Sequence, residues 1–163
     1  MEKEHYYSVS MVWTGNKGEG TKDYRAYSRD HILQAAGKAD IAGSSDPSFR
    51  GSPDRYNPEE LLVSALSSCH MLWYLHLCSV NNILVTGYRD QAKGTMIEGE
   101  VGGGHFKEVE LNPLITLTEA AMIGRATELH EEANRLCFVA NSVNFPVTHK
   151  PVFEVQPLPV NSR

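Results

Sequence analysis

From Leu61 through Tyr88 the chain carries no Asp, Glu, Lys or Arg, inside a stretch that begins NPEELLVSALSSCHMLWYLHLCSVNN at Asn57. A run that long without a charge has to be hidden from water, in a protein core or in a bilayer. Ser64, Ser67, Ser68, His70, His76 and Ser79 interrupt it, and hydrocarbon would leave those groups poorly satisfied. The expectation is therefore a helix buried inside a protein, with no membrane partner. Its start is signalled by Asn57 as N-cap, by Pro58 where a missing N–H costs nothing, and by Glu59 and Glu60 at the positive end of the helix dipole. It should run to about Val80 and stop at Asn81 and Asn82.

Around this helix the chain reads as strands, the helix, strands, a second helix and a last strand, an α+β arrangement. Tyr7, Val9, Met11 and Trp13 alternate with Ser8, Ser10 and Val12, which argues for a half-buried strand. Further strands are expected near residues 24–31 and 37–42, and the Pro, Gly, Ser and Asp of residues 44–56 predict a loop. A strand over residues 85–92 follows the helix. GEVGGGHF, residues 99–106, lacks the GxxxxGK[ST] pattern and a following helix, so it reads as a hairpin connection and not a phosphate loop. Val109, Leu111, Pro113, Ile115 and Leu117 alternate as a strand with one exposed face does. Thr118 is the expected cap of a second helix, whose Met122, Ile123, Ala126, Leu129, Ala133, Leu136 and Cys137 share one face. VTHKPVFEVQ closes the chain's regular structure as a last strand.

At 163 residues the chain suits a single domain, 1–163. Its 15 Lys and Arg against 20 Asp and Glu leave a net charge of −5, which argues against nucleic acid as a partner. MEKEHYYSVSMVWTG has no apolar h-region, so no secretory signal is expected and the cytoplasm is the expected location. An odd count of three cysteines in a reducing compartment does not suggest a structural disulfide framework.

Cys69 sits midway along the first helix and shares its side with Leu62, Ala65, Leu72, Trp73 and His76. Cys78 lies on the opposite side and cannot bridge to it without destroying the helix, so it reads as a packing residue. If Cys69 has a partner, it is Cys137 at the inward end of the second helix. A metal site is not expected, because His70, His76, Cys69 and Cys78 form no C-x-x-C or H-x-x-x-H pair. His70 is rotated by about 100° from Cys69 and reads as a hydrogen-bonded core residue rather than a base. By residue type alone Cys69 is either a buried apolar filler or a reactive thiol.

NPEELLVSALSSCHM and the later LCFVANSVNFPV resemble the OsmC/Ohr family of thiol-dependent peroxidases. That family's first long helix opens with Asn-Pro-Glu-(Glu or Gln)-Leu and carries a cysteine ten residues after the first glutamate, the spacing of Glu59 and Cys69 here. The resemblance implies an OsmC-like α+β fold, with antiparallel sheets packed around a long central helix, in an intertwined homodimer. It implies Cys69 as peroxidatic nucleophile, Cys137 as the resolving thiol, Glu59 as the organising carboxylate and an arginine beside the thiolate. Arg50 stands about where OsmC-like members place that arginine, with Arg55 and Arg29 as the alternatives. Phe138 follows Cys137 where other members usually have proline, which marks a divergent subfamily.

On that reading Cys69 attacks the peroxide oxygen, an alcohol leaves, and Cys137 captures the sulfenic acid as a disulfide. An external dithiol or lipoyl-type reductant must reset it, and no metal, flavin or haem is required. Glu59 and Cys69 lie about 15 Å apart along one helix. Two copies packed antiparallel about a two-fold axis near Ser64 would bring Glu59 of one chain to face Cys69 of the other. Leu62, Leu66, Leu72 and Trp73 would then line a pocket suited to organic hydroperoxides. The alternative is a non-enzymatic redox-sensing or small-molecule-binding module on the same fold.

Overall fold

The signals at Asn57 act as local physics requires. In the computed structural model, which describes residues 3–158, α1 spans Pro58–Val80. Asn57 Oδ1 accepts the Glu60 N–H at 2.8 Å, and the Asn57 N–H donates to Glu60 Oε2 at 3.1 Å. This is a reciprocal capping box, and it engages Glu60 while leaving Glu59 outside the cap. At the other end Asn81 Nδ2 donates to the Leu77 carbonyl at 2.8 Å, and Asn82 turns left-handed with φ 56°. Asparagine tolerates that conformation better than most residues, and the helix ends there.

The chain divides between Leu61 and Leu62 into two compact units. The first contains one antiparallel sheet in the order β1 (Ser10–Trp13), β2 (His31–Gln34), β3 (Ile41–Gly43). β1 keeps the expected extended pattern but not the half-burial, since all four of its residues are exposed. Alternation specifies a strand, whereas burial needs a covering layer. The strand expected over residues 24–31 starts only at His31. Asp23 turns the chain before it by accepting the Arg25 N–H on its carboxylate at 2.7 Å and the Ala26 N–H on its carbonyl at 3.1 Å. The expected loop over residues 44–56 contains a single 3-10 turn, Pro47–Phe49.

The second unit contains β4 (Val85–Asp90), β5 (Lys93–Glu98), β6 (Gly104–Leu111), β7 (Pro113–Leu117), α2 (Ile123–Leu136), β8 (Val147–His149) and β9 (Val152–Val155). They form two sheets, β4-β7-β9 and β5-β6-β8. β4·β7 and β5·β6 are antiparallel, and β8 and β9 join β6 and β7 in parallel. The strands expected over 109–117 and over VTHKPVFEVQ are each broken once, so that one part serves each sheet, while the strand expected over 85–92 ends at Asp90 and a further strand, β5, follows it in the other sheet. Asp90 makes one break by accepting the Asn112 N–H at 2.7 Å, where a straight ladder would have continued. Pro151, which has no N–H to give a ladder, makes another. The inward face runs through the break unchanged: Val109, Leu111, Pro113, Ile115 and Leu117 are all buried.

The glycine-rich segment is the β5–β6 hairpin, closed by the Gly99 N–H on the Gly103 carbonyl at 2.8 Å with Gly102 and Gly103 at positive φ. Thr118 does not cap α2. Its N–H still donates to the Leu84 carbonyl at 3.3 Å, which holds it to the sheet, and a 3-10 turn, Ala120–Met122, intervenes before the helix. Two apolar clusters follow from these pairings. One packs Tyr74, Leu77 and Cys78 of α1 with Ile115, Leu117, Ala126, Leu129 and Ala133. The other packs Leu66 with Val109 and Leu111.

Candidate functional site

α1 leaves one side uncovered, and Cys69 lies on it. Ala65, Ser68, Cys69, Leu72, Trp73, His76, Phe138 and Val139 line a cavity of about 590 Å³. Four of the five residues that spacing placed on the side of Cys69 do line it, and Leu62 packs instead against the cluster of Leu66, Val109 and Leu111. Leu66, expected in the pocket wall, is fully buried in that cluster. Phe138, the residue after Cys137, meets Trp73 edge to face at 5.7 Å. The wall beside Cys69 is therefore aromatic.

Cys137 ends α2 and turns its thiol inward, where it is 1% exposed. The Ala140 N–H points at its sulfur at 3.4 Å. Burial first, and then the neighbouring Cys69 thiol, hold the Cys137 thiol above the usual cysteine range. The two cysteines thus have unlike surroundings: Cys69 opens to the cavity, and Cys137 is a protonated thiol behind it. Cys78 is buried in the apolar core, and burial raises its thiol as well. That is the packing role expected of it.

Glu59, Arg50, Arg55 and Arg29 belong to the first unit. Arg29 is held between the Tyr24 and Tyr27 rings, at 4.1 and 4.4 Å, and donates to both of their carbonyls at 2.8 Å. Arg55 Nε lies 3.8 Å from Asp30 Oδ2, and its Nη1 donates to the His31 carbonyl at 3.4 Å. Arg50 sits at the end of the 3-10 turn with φ 65°, in the left-handed region that costs a non-glycine residue energy. Among the described residues its guanidinium has no hydrogen-bond or ion-pair partner, and Glu59 has none either.

A second group of polar side chains was not legible as a site. His70 Nε2 and His130 Nδ1 lie 2.9 Å apart in nearly coplanar rings, interplanar angle 8°. His149 approaches both, at 5.4 and 5.6 Å between ring centroids, and Tyr74 stacks on His130 at 3.8 Å. His70 is thus the hydrogen-bonded core residue its helix position predicted. No motif marks His130 or His149; the sequence signal for His130 is a polar residue on the Ala126, Leu129, Ala133 face, and His149 has none. Burial, and then the other histidines, push His70 down to about 4 and His130 to about 3. His70 Nδ1, His130 Nε2, His149 Nδ1, Tyr74 OH and Tyr88 OH are buried without a hydrogen-bond partner among the described residues. His70 and His130 aim at each other and not at a common third point, and among the described residues no three side chains gather as metal ligands.

Comparison with known proteins identifies the fold. Residues 51–151 match the family model of the OsmC-like proteins, and the chain belongs to that family. A solved OsmC-like protein of unknown function from Vibrio cholerae is 30% identical, with a TM-score of 0.82 over 91% of this chain and 100% of that one. An organic hydroperoxide resistance protein from Elizabethkingia anophelis shares the fold at 20% identity, TM-score 0.66, over 94% of this chain and 100% of its own. OhrB of Bacillus subtilis, another organic hydroperoxide resistance protein, does so at 15% identity and TM-score 0.58, over 91% and 98%. No curated protein matches the sequence.

Proposed function

We propose that this protein is a cysteine-based peroxidase that reduces organic hydroperoxides to alcohols. The observation that carries the reading is the pairing of Cys69, at the wall of an apolar cavity, with the buried Cys137 behind it. The Cys69 sulfur attacks the terminal peroxide oxygen, the O–O bond breaks, and the alcohol leaves with a proton. Cys69 becomes a sulfenic acid. The Cys137 sulfur then attacks it, the S–S bond forms, and the hydroxyl leaves as water with the Cys137 proton. An external dithiol or lipoyl-type reductant supplies two electrons and two protons to restore the thiols, and the sequence of steps requires no metal, flavin or haem.

Burial of Cys137 supports the order of events, because a protonated thiol is a poor first nucleophile. Glu59 and Arg50 are assigned to steady the Cys69 thiolate, the carboxylate fixing the guanidinium by a bidentate pair. Arg50 is preferred over Arg29 and Arg55 because those two are already engaged. The family match runs across the division at Leu61, which supports reading 1–163 as one OsmC-like domain. A reducing cytoplasm would keep both thiols available for reuse.

The reading also includes a homodimer in which the partner chain's Glu59 serves Cys69. In the most apolar 18-residue stretch of α1 only 28% of the residues are buried, and Leu72 is 64% exposed, so the helix has a face for a second copy. Sedimentation equilibrium of the reduced protein is expected to give the mass of two chains; a fully active monomer would rule out the composite site.

The chemical test is to treat the reduced protein with one equivalent of cumene hydroperoxide, quench the thiols and map the cysteines by mass spectrometry. A Cys69–Cys137 disulfide within seconds is the expected result. Three free thiols after minutes would sink the proposal, and a disulfide that no dithiol recycles would mark a redox-sensing module instead.

A further inference from the structure

The two thiols sit on different helices, so something must set α2 against α1 closely enough for a sulfur–sulfur bond. A disulfide needs Cα atoms about 4.4–6.8 Å apart with Cβ vectors facing, and about an ångström of slip would spoil it. The face that α2 presents to the core packs Leu129 among small residues around His130. Ala126 and Ala133 flank His130, and alanines offer no directional contact. Direction comes from hydrogen bonds. At the far end of α1, Arg125 Nη2 donates to Asn81 Oδ1 at 3.2 Å, in the open where water competes. Midway along both helices the bond is His70 to His130, 2.9 Å long and buried on both sides.

The placement of that bond is what links it to the chemistry. His70 is the residue after Cys69. His130 precedes Cys137 by seven residues, two helical turns, so both lie on one face of α2. Tyr74 stacked on His130 and His149 on β8 hold the rings in plane. Neither His70 nor His130 lines the cavity where a hydroperoxide would enter.

We propose that the His70–His130 hydrogen bond is a register pin: it positions Cys137 for attack on the oxidised Cys69 and has no part in the attack on peroxide. The inference rests on the peroxidase reading and adds two positioning residues to it. The step they govern is S–S bond formation between the Cys137 sulfur and the Cys69 sulfenic acid, with cleavage of the S–O bond and loss of water.

The test separates the two steps. Rapid-quench samples after one equivalent of cumene hydroperoxide are split, one part trapped with dimedone to count sulfenic acid, the other blocked to count disulfide. His130→Leu and His70→Leu, which keep bulk and remove the bond, are expected to slow disulfide closure by about tenfold or more, in line with the cost of small misplacements. Sulfenic acid formation should stay within about twofold of wild type on that same argument. His130→Asn and His70→Gln, whose amides can occupy the bonding positions, should recover most of the closure rate. Should the leucine variants not fold, His130→Ala, on a face that already has Ala126 and Ala133, carries the same expectation. Closure at the wild-type rate in a folded variant lacking the bond would overturn the proposal, as would equal slowing of both steps. If wild type gives neither sulfenic acid nor disulfide, it is the peroxidase reading that fails.

Discussion

Cys69→Ser is expected to lower hydroperoxide turnover by on the order of 10⁴-fold or more, the scale of losing the group that makes the covalent intermediate. Serine fits the same half-buried position on α1, so the fold and the cavity should survive. Its hydroxyl is nearly all protonated near neutral pH and is a far weaker nucleophile toward peroxide oxygen than a thiolate. Cys137→Ser is expected to differ in kind. It should still consume about one equivalent of hydroperoxide per chain and then stop at the Cys69 sulfenic acid, because the first step does not use the buried thiol. Steady-state peroxide consumption with a dithiol reductant, beside a single-turnover dimedone trap, distinguishes the two. Turnover near wild type in Cys69→Ser, or a sulfenic acid mapped to Cys137, would reverse the assignment of roles.

Acid should unfold this protein through its histidines. In the folded chain His70 is pushed down to about 4 and His130 to about 3, by burial first and by neighbouring histidines second. In the unfolded chain both take a proton near about 6.5. Below that pH the unfolded state binds protons that the folded state refuses, so stability present above about pH 6.5 is lost progressively as pH falls toward 4 and 3. The groups that face the pair are His149 from β8 and Tyr74 from α1, and His149 Nε2 in turn lies 3.3 Å from the exposed Glu131 carboxylate. Each pH unit of difference is worth about 1.4 kcal/mol, so the pair together costs on the order of 5 kcal/mol at pH 4, a large share of ordinary domain stability. Urea melts between pH 7 and 4 should show this fall, and His70→Gln with His130→Asn should flatten it. A stability that is unchanged across that window would mean the buried rings are not held neutral.

The readable and unreadable parts of this chain divide by the range of the forces involved. The α1 boundaries were legible because Asn57, Pro58, Glu60 and Asn82 act on backbone groups within four residues of themselves. The inward face Val109, Leu111, Pro113, Ile115, Leu117 was legible because a period of two survives even the break at Asn112. The cap at Thr118 was misread because a threonine cannot show locally that its N–H will be taken by Leu84, 34 positions earlier in the chain. For the proposed site, Cys69 and Cys137 stand out by helix face and motif, while Glu59 and Arg50 enter by resemblance alone.

The long uncharged helix with its cap, the side on which Cys69 lies and the exclusion of Cys78 as its partner are written in the chain, since they follow from helical rotation and nearest-neighbour hydrogen bonding. The division of strands between two sheets, the aromatic wall that Phe138 and Trp73 build beside the thiol, and the meeting of His70 with His130, 60 positions apart, arise only when the fold assembles. Those depend on which buried polar group finds a partner across the fold. A sequence records that such groups exist, and packing alone determines which of them are paired.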